Sequence, residues 1–145
     1  MIDKIKVLVV DDDLDIVEIL KYNLENAGYS VKSARNGIKA IKKAKKFIPD
    51  IILMDVMMPE MSGIEACSEI RKIDALNTTL IIFLSARTED FTQISAYDAG
   101  ADDYISKPIK PKILLKKISN ISKKINSKTN LPEILDLGSM KINRD

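Results

Sequence analysis

Three consecutive carboxylates, Asp11-Asp12-Asp13, follow the apolar run Val7-Leu8-Val9-Val10, and a fourth, Asp55, follows Ile51-Ile52-Leu53-Met54. Two further apolar runs end in a reactive group. Leu80 to Leu84 gives way to Ser85, and Tyr104-Ile105-Ser106 to Lys107-Pro108. Unit charges about 4 to 5 Å apart repel by roughly 4 kcal/mol at an effective dielectric near 20, so gathered carboxylates are unlike a device for stability. A divalent cation reverses the sign. Hard oxygen ligands with open water positions suit Mg2+ held by one or two carboxylates plus a phosphoryl group. At a strand tip Asp55 can accept a phosphoryl group as an acyl phosphate. Ser85 offers a hydroxyl, and Lys107 a mobile cation that follows phosphoryl oxygens as their charge develops. Simpler roles compete residue by residue: Asp13 as a helix cap, Asp55 and Ser85 as turn residues, Lys107 as a solvated surface group.

The elements that would gather these groups follow from hydrophobic periodicity. Val7 to Val10 reads as a buried strand, then Leu14, Val17, Leu20 and Leu24 recur at helical spacing up to a stop at Gly28. A short strand is expected around Tyr29 to Ser33. Asn36 then caps a helix with Ile38, Ile41, Ala44, Phe47 and Ile48 on one face and five lysines opposite. Ile51 to Met54 makes the third strand, and Ser62-Gly63 opens a helix running to about Lys72 with Ile64, Cys67 and Ile70-Arg71 facing inward. Leu80 to Leu84 is the fourth strand, and Glu89 to Ala99 a fourth helix stopped by Gly100. A fifth helix runs from about Pro111 to Ile125. Five strands alternating with five helices predict a doubly wound parallel α/β sheet with right-handed crossovers. Parallel strands would bring the four run ends to one sheet edge, where open α/β folds place their sites.

Composition narrows the chemistry. The chain has 145 residues, 46% of them hydrophobic, which suits one domain with a short appendage. It contains no histidine and one cysteine, Cys67. An internal disulfide, a Ser-His-Asp triad and an ordinary zinc site are thereby excluded, and any phosphohistidine must come from a partner. Neither a membrane-crossing run nor a secretory leader is visible, so a cytoplasmic location without membrane attachment is expected. Residues 107–128 carry eight lysines and no acid, leaving the rest of the chain with six more acids than bases. These lysines lie opposite an apolar stripe, as a solvated face does. Binding of nucleic acid or an anionic membrane is the weaker reading. Asn126 to Asn130 reads as a linker.

Val9-Val10-Asp11-Asp12, Leu53 to Pro59, Leu84-Ser85-Ala86-Arg87 and Gly100 to Pro108, in that order, resemble the receiver domains of bacterial two-component response regulators. The resemblance spans roughly Lys4 to Ile125 and implies a flavodoxin-like sheet of order 2-1-3-4-5, for which a receiver protein is itself a standard example. It implies that Asp55 is phosphorylated by a sensor histidine kinase. Asp12, Asp55 and the Met57 backbone carbonyl would ligate Mg2+, with Asp11 acting largely through water, and no organic cofactor is implied. Ser85 and Lys107 would bind phosphoryl oxygens, and Ser85 and Tyr104 would switch the face made by the fourth helix, fifth strand and fifth helix, through which a phosphorylated homodimer forms. On this reading the chain is a phosphoacceptor that catalyses only its own phosphorylation and slow dephosphorylation, the latter slowed by Met57 and Arg87 beside the path of water.

Residues 1–125 are thus expected to be the receiver, and 126–145 a linker with the start of a truncated output domain. Ile134 to Asn143 resembles the opening of the winged-helix domain of OmpR/PhoB-type regulators, so contact with DNA would come through a C-terminal domain absent here. The basic and acidic residues of that subfamily's dimer face fall on Gln93 and Ile113. A haloacid-dehalogenase-like phosphohydrolase is the alternative. It would use Asp11, Asp13, Ser85 and Lys107, but it needs a further acidic pair, for which Glu89-Asp90 is the nearby candidate, and a cap domain. A flavin carrier is disfavoured, since three carboxylates would repel its phosphate.

Overall fold

The computed structural model describes residues 4–85 and 97–130, with side chains through Ile125. It divides into two compact units, residues 1–115 and 116–145. The first holds strands β1 (Lys6–Val10), β2 (Ser30–Ala34), β3 (Ile51–Asp55), β4 (Leu80–Ser85) and β5 (Asp103–Ser106), with helices α1 (Leu14–Asn26), α2 (Gly37–Phe47) and α3 (Gly63–Arg71). A last helix, α4 (Pro111–Asn130), begins there, and its residues 116–130 are the described part of the second unit. This helix, expected to end at about Ile125, continues through Asn130, so the residues expected to form a linker are helical. The expected helix at Glu89 to Ala99 falls mostly outside the described residues, as do Arg87, Gln93 and the tail Ile134 to Asn143.

All pairings are parallel, in the order β2-β1-β3-β4-β5. That is the expected doubly wound flavodoxin-like sheet. Because side chains alternate along a strand, Leu8, Val10, Ile52, Met54, Ile81 and Phe83 share one face, packed with Ala40 and Ala44 of α2 and Ala66, Cys67 and Ile70 of α3. The opposite face carries Val7, Val9, Ile51 and Leu53, all fully buried, and α1 contributes Val17, Leu20 and Leu24. Strands buried on both faces read as continuous apolar runs, which is why they were visible in the sequence. Leu14 and Ile38, expected inside, are 51% and 43% exposed; each lies in the first turn of its helix, outside the arc that meets the sheet.

The helix starts are set locally. Asp13 accepts from the Asp15 N–H, Asn36 from the Lys39 N–H, and Ser62 and Glu65 form a reciprocal capping box. At the start of α3, a Cβ built on Gly63 would lie 2.2 Å from the Asp55 carbonyl oxygen. Glycine is therefore required for α3 to begin against the tip of β3, where its N–H donates to the Val56 carbonyl.

Candidate functional site

The register brings the run ends together. Val10 pairs with Met54, Asp55 with Leu84, and Ser85 with Ser106, so residues 11, 55, 85 and 107 leave the sheet at its carboxyl edge. Asp11 is fully buried and Asp55 is 6% exposed, whereas Asp12 is exposed. Carboxylate oxygens of Asp11, Asp12 and Asp55 all lie within 4.8 Å of one another. Asp13 stands apart as the α1 cap, and its own N–H donates to Asp11 Oδ1 at 2.9 Å.

Lys107 Nζ lies 3.1 Å from Asp11 Oδ2 and 3.4 Å from Asp55 Oδ1. The Lys107 N–H donates to the Ser85 carbonyl, and the Lys107-Pro108 peptide is cis. Burial alone would lower the lysine pKa, but the hydrogen bond to Asp11 and the charges of Asp55 and Asp11 outweigh it and raise it. Lys107 is therefore a fixed cation. Asp55 moves the other way from an ordinary carboxylate: burial, then the Asp11 charge, push it up to about 6 against the pull of Lys107 and a backbone hydrogen bond at Met57. One lysine incompletely offsets three acids, which leaves an acidic pocket with all-oxygen donors. That donor set fits Mg2+, with Asp11, Asp12 and Asp55 as the residues able to hold it.

Ser85 is 5% exposed on the last residue of β4, and Tyr104 is half-buried against the α2-α3 side of the core. Met57, expected to shield Asp55, presents 77% of its surface to solvent. Beside Lys107 a cavity of about 280 Å³ is lined by Ile16, Ile19, Leu20, Pro108 and Ile109. This groove was not anticipated, since it joins α1 to the segment after β5.

Arg71 was also underestimated. Its position four residues after Cys67 put it on the inner face of α3, the one signal the sequence held. There its Nε donates to the Gly100 carbonyl at 2.9 Å, one terminal nitrogen to the Thr79 carbonyl at 2.6 Å, and the other to Asp102 Oδ2 at 2.7 Å. Asp102 Oδ2 also accepts from the Ile81 N–H at 2.8 Å. The end of α3, the start of β4 and the turn before β5 are thus tied through one guanidinium.

Comparison with known proteins agrees with this geometry. Residues 7–119 match the family model described as the response regulator receiver domain. Among characterised relatives, the alkaline phosphatase synthesis transcriptional regulatory protein PhoP of Bacillus subtilis is 44% identical over 107 residues, covering 74% of this chain and 44% of PhoP. The transcriptional regulatory protein ResD of the same organism is 38% identical over 147 residues, covering 97% of this chain and 60% of ResD. The chain therefore spans about half the length of these relatives, which are OmpR/PhoB-type regulators. The chemotaxis protein CheY4 of Vibrio cholerae superposes with a TM-score of 0.79 at 34% identity, covering 82% of this chain and 99% of CheY4. The phosphohydrolase alternative finds no support in these matches. With the parallel sheet, the acidic pocket and the bridging lysine at one edge, the chain belongs to the response regulator receiver family of two-component systems.

Proposed function

We propose that Asp55 accepts a phosphoryl group from a phosphohistidine on a sensor histidine kinase, and that the modified chain controls transcription through an output domain. The observation that carries this reading is the position of Lys107, whose ammonium lies between Asp11 and Asp55. An Asp55 oxygen attacks phosphorus, a new P–O bond forms, the P–N bond to the donor imidazole breaks, and the imidazole leaves with the bond pair. Lys107 is placed to follow the charge on the transferring oxygens, and Ser85 to meet one of them once the acyl phosphate has formed. Mg2+, held by Asp11, Asp12, Asp55 and the Met57 carbonyl, would supply neutralisation of the phosphoryl charge. The chain has no histidine, consistent with an acceptor that depends on a partner. The apolar groove beside Lys107 and the exposed Ile19 and Tyr22 of α1 offer that partner a surface next to the acceptor.

Ser85 and Tyr104 sit on adjacent strands, β4 and β5, which suits a switch in which the hydroxyl turns toward the phosphoryl group and the ring follows. The altered face would form a homodimer. The test is intact-protein mass spectrometry after incubation with acetyl phosphate and Mg2+. One added phosphoryl group is expected, absent in Asp55→Asn and when EDTA replaces Mg2+ during the incubation, with an increase in dimer by light scattering. Labelling that persists in Asp55→Asn would place the acceptor elsewhere.

A further inference from the structure

Between Val31 and Pro49 the chain carries seven cations, five of them on α2, and no carboxylate. All seven are exposed. Lys39, Lys42, Lys43 and Lys46 follow a spacing of three, one and three, which lines them along one side of α2. Lys32 of β2 lies 5.3 Å from the Phe47 ring centre and Lys6 of β1 5.5 Å from it, while Lys43 Nζ donates to the Ser33 carbonyl. The cations of the β2 edge and of α2 therefore form one continuous surface. Among the described residues no ion pair joins any of them to a carboxylate.

A face kept only for solubility mixes both signs. Here Lys39 and Lys43, and Lys42 and Lys46, are like-charge pairs one turn apart that weaken the helix, a repulsion that a bound anion would relieve. Several occupants can be compared. An interfacial helix needs a free apolar side to enter a lipid surface, but that side of α2, with Ala40 and Ala44 at 0% exposure, is committed to the core. Single-stranded nucleic acid needs exposed aromatic rings for stacking, and Phe47 lies under two lysines. A duplex backbone needs only cations spread along a surface.

We propose that the outer face of α2 with the adjoining β2 edge binds the phosphate backbone of duplex DNA without reading sequence, adding affinity to that of the output domain. This inference rests on the transcriptional output proposed above. It is tested by fluorescence anisotropy of a labelled random-sequence duplex titrated with the full 145-residue chain at several KCl concentrations. The logarithm of affinity is expected to fall linearly with the logarithm of salt. The variant Lys39→Gln/Lys42→Gln/Lys46→Gln should lower that slope by about 2 to 3, since each phosphate contact contributes about 0.9. Lys116→Gln/Lys117→Gln/Lys123→Gln, on α4, should change it by less than about 1. An unchanged slope in the α2 variant, a larger loss in the α4 variant, or tighter binding to phosphatidylserine-phosphatidylcholine vesicles than to duplex would each overturn the proposal. Should the triple variant melt early, Lys42→Gln alone takes its place, with an expected loss of about 0.9 in slope and no loss as the contrary result. Acetyl phosphate labelling of Asp55 in the same samples reports separately on the phosphoacceptor reading.

Discussion

Asp55 combines burial with a neighbouring charge, and its pKa of about 6 has a signed consequence for stability. The folded chain holds this proton more tightly than the unfolded chain does, so between about pH 4 and 6 the folded state binds more protons. Stability contributed by Asp55 is thus present at the acid end of that window and lost as pH rises through 6. The shift from 3.8 to about 6 corresponds to about 3 kcal/mol. In urea unfolding without Mg2+, Asp55→Asn should therefore be more stable than wild type at pH 7 by up to about that amount, with the difference shrinking toward pH 4. Equal stability at both pH values would contradict it. Protons should also compete with the cation, weakening Mg2+ binding as pH falls through 6 in calorimetric titration. Asp12 offers a milder test, because it is exposed and lacks the ion pair that Asp11 makes with Lys107. Asp12→Asn should raise the metal-free melting temperature by a few degrees, at about 2 to 4 °C per kcal/mol for a chain of this size, while weakening Mg2+ binding; a lowered melting temperature would contradict the repulsion. Nothing in the neighbouring residues marked Asp11 as the buried one of the pair and Asp12 as the exposed one. Their difference is tertiary: Lys107 arrives from 96 residues away to bury one and leave the other in water.

Among the elements, the junction of β3 and α3 holds Asp55, the proposed acceptor, in place. Gly63→Ala would push a Cβ into the Asp55 carbonyl at 2.2 Å, so it should both destabilise the fold by several kcal/mol and slow labelling of Asp55. Ser62→Ala removes one side of the capping box next door and should cost about 1 kcal/mol while leaving labelling intact. A larger effect of Ser62→Ala on labelling than of Gly63→Ala would mean that steric approach is not what positions the acceptor. Strand runs, helix starts and caps were legible because they are written in adjacent residues: four apolar positions for a doubly buried strand, and Asn36 or Ser62 where a helix begins. The extension of α4 through Asn130 was not, since Ser-Lys-Thr-Asn has no apolar rhythm to mark it. Arg71 was half legible. Its inward position showed, but its acceptors at Thr79, Gly100 and Asp102 come from three other segments. Arg71→Gln should cost about 2 kcal/mol or more in urea unfolding, because it removes a donor from two carbonyls and the cationic partner from the Asp102 carboxylate, and Arg71→Lys should rescue little of that, since an ammonium cannot reproduce the fork.

At the scale of the molecule, one sheet converts order in the sequence into proximity. Five parallel strands with matched register deliver two carboxylates, a hydroxyl residue and an ammonium to the same edge. Family and fold were readable because four motifs in order constrain both at once, whereas the groove beside Lys107 needs the packing of α1 against the segment after β5 to exist at all. Asp55 is the residue at which this edge is proposed to do its chemistry. Borohydride reduces an aspartyl phosphate to homoserine, so peptide mapping of the reduced, acetyl-phosphate-treated chain locates the acyl phosphate directly. Homoserine at position 55, dependent on Mg2+ and absent in Lys107→Ala or strongly diminished there, is the expected result. Homoserine at position 11, 12 or 13 with aspartate intact at 55 would contradict it.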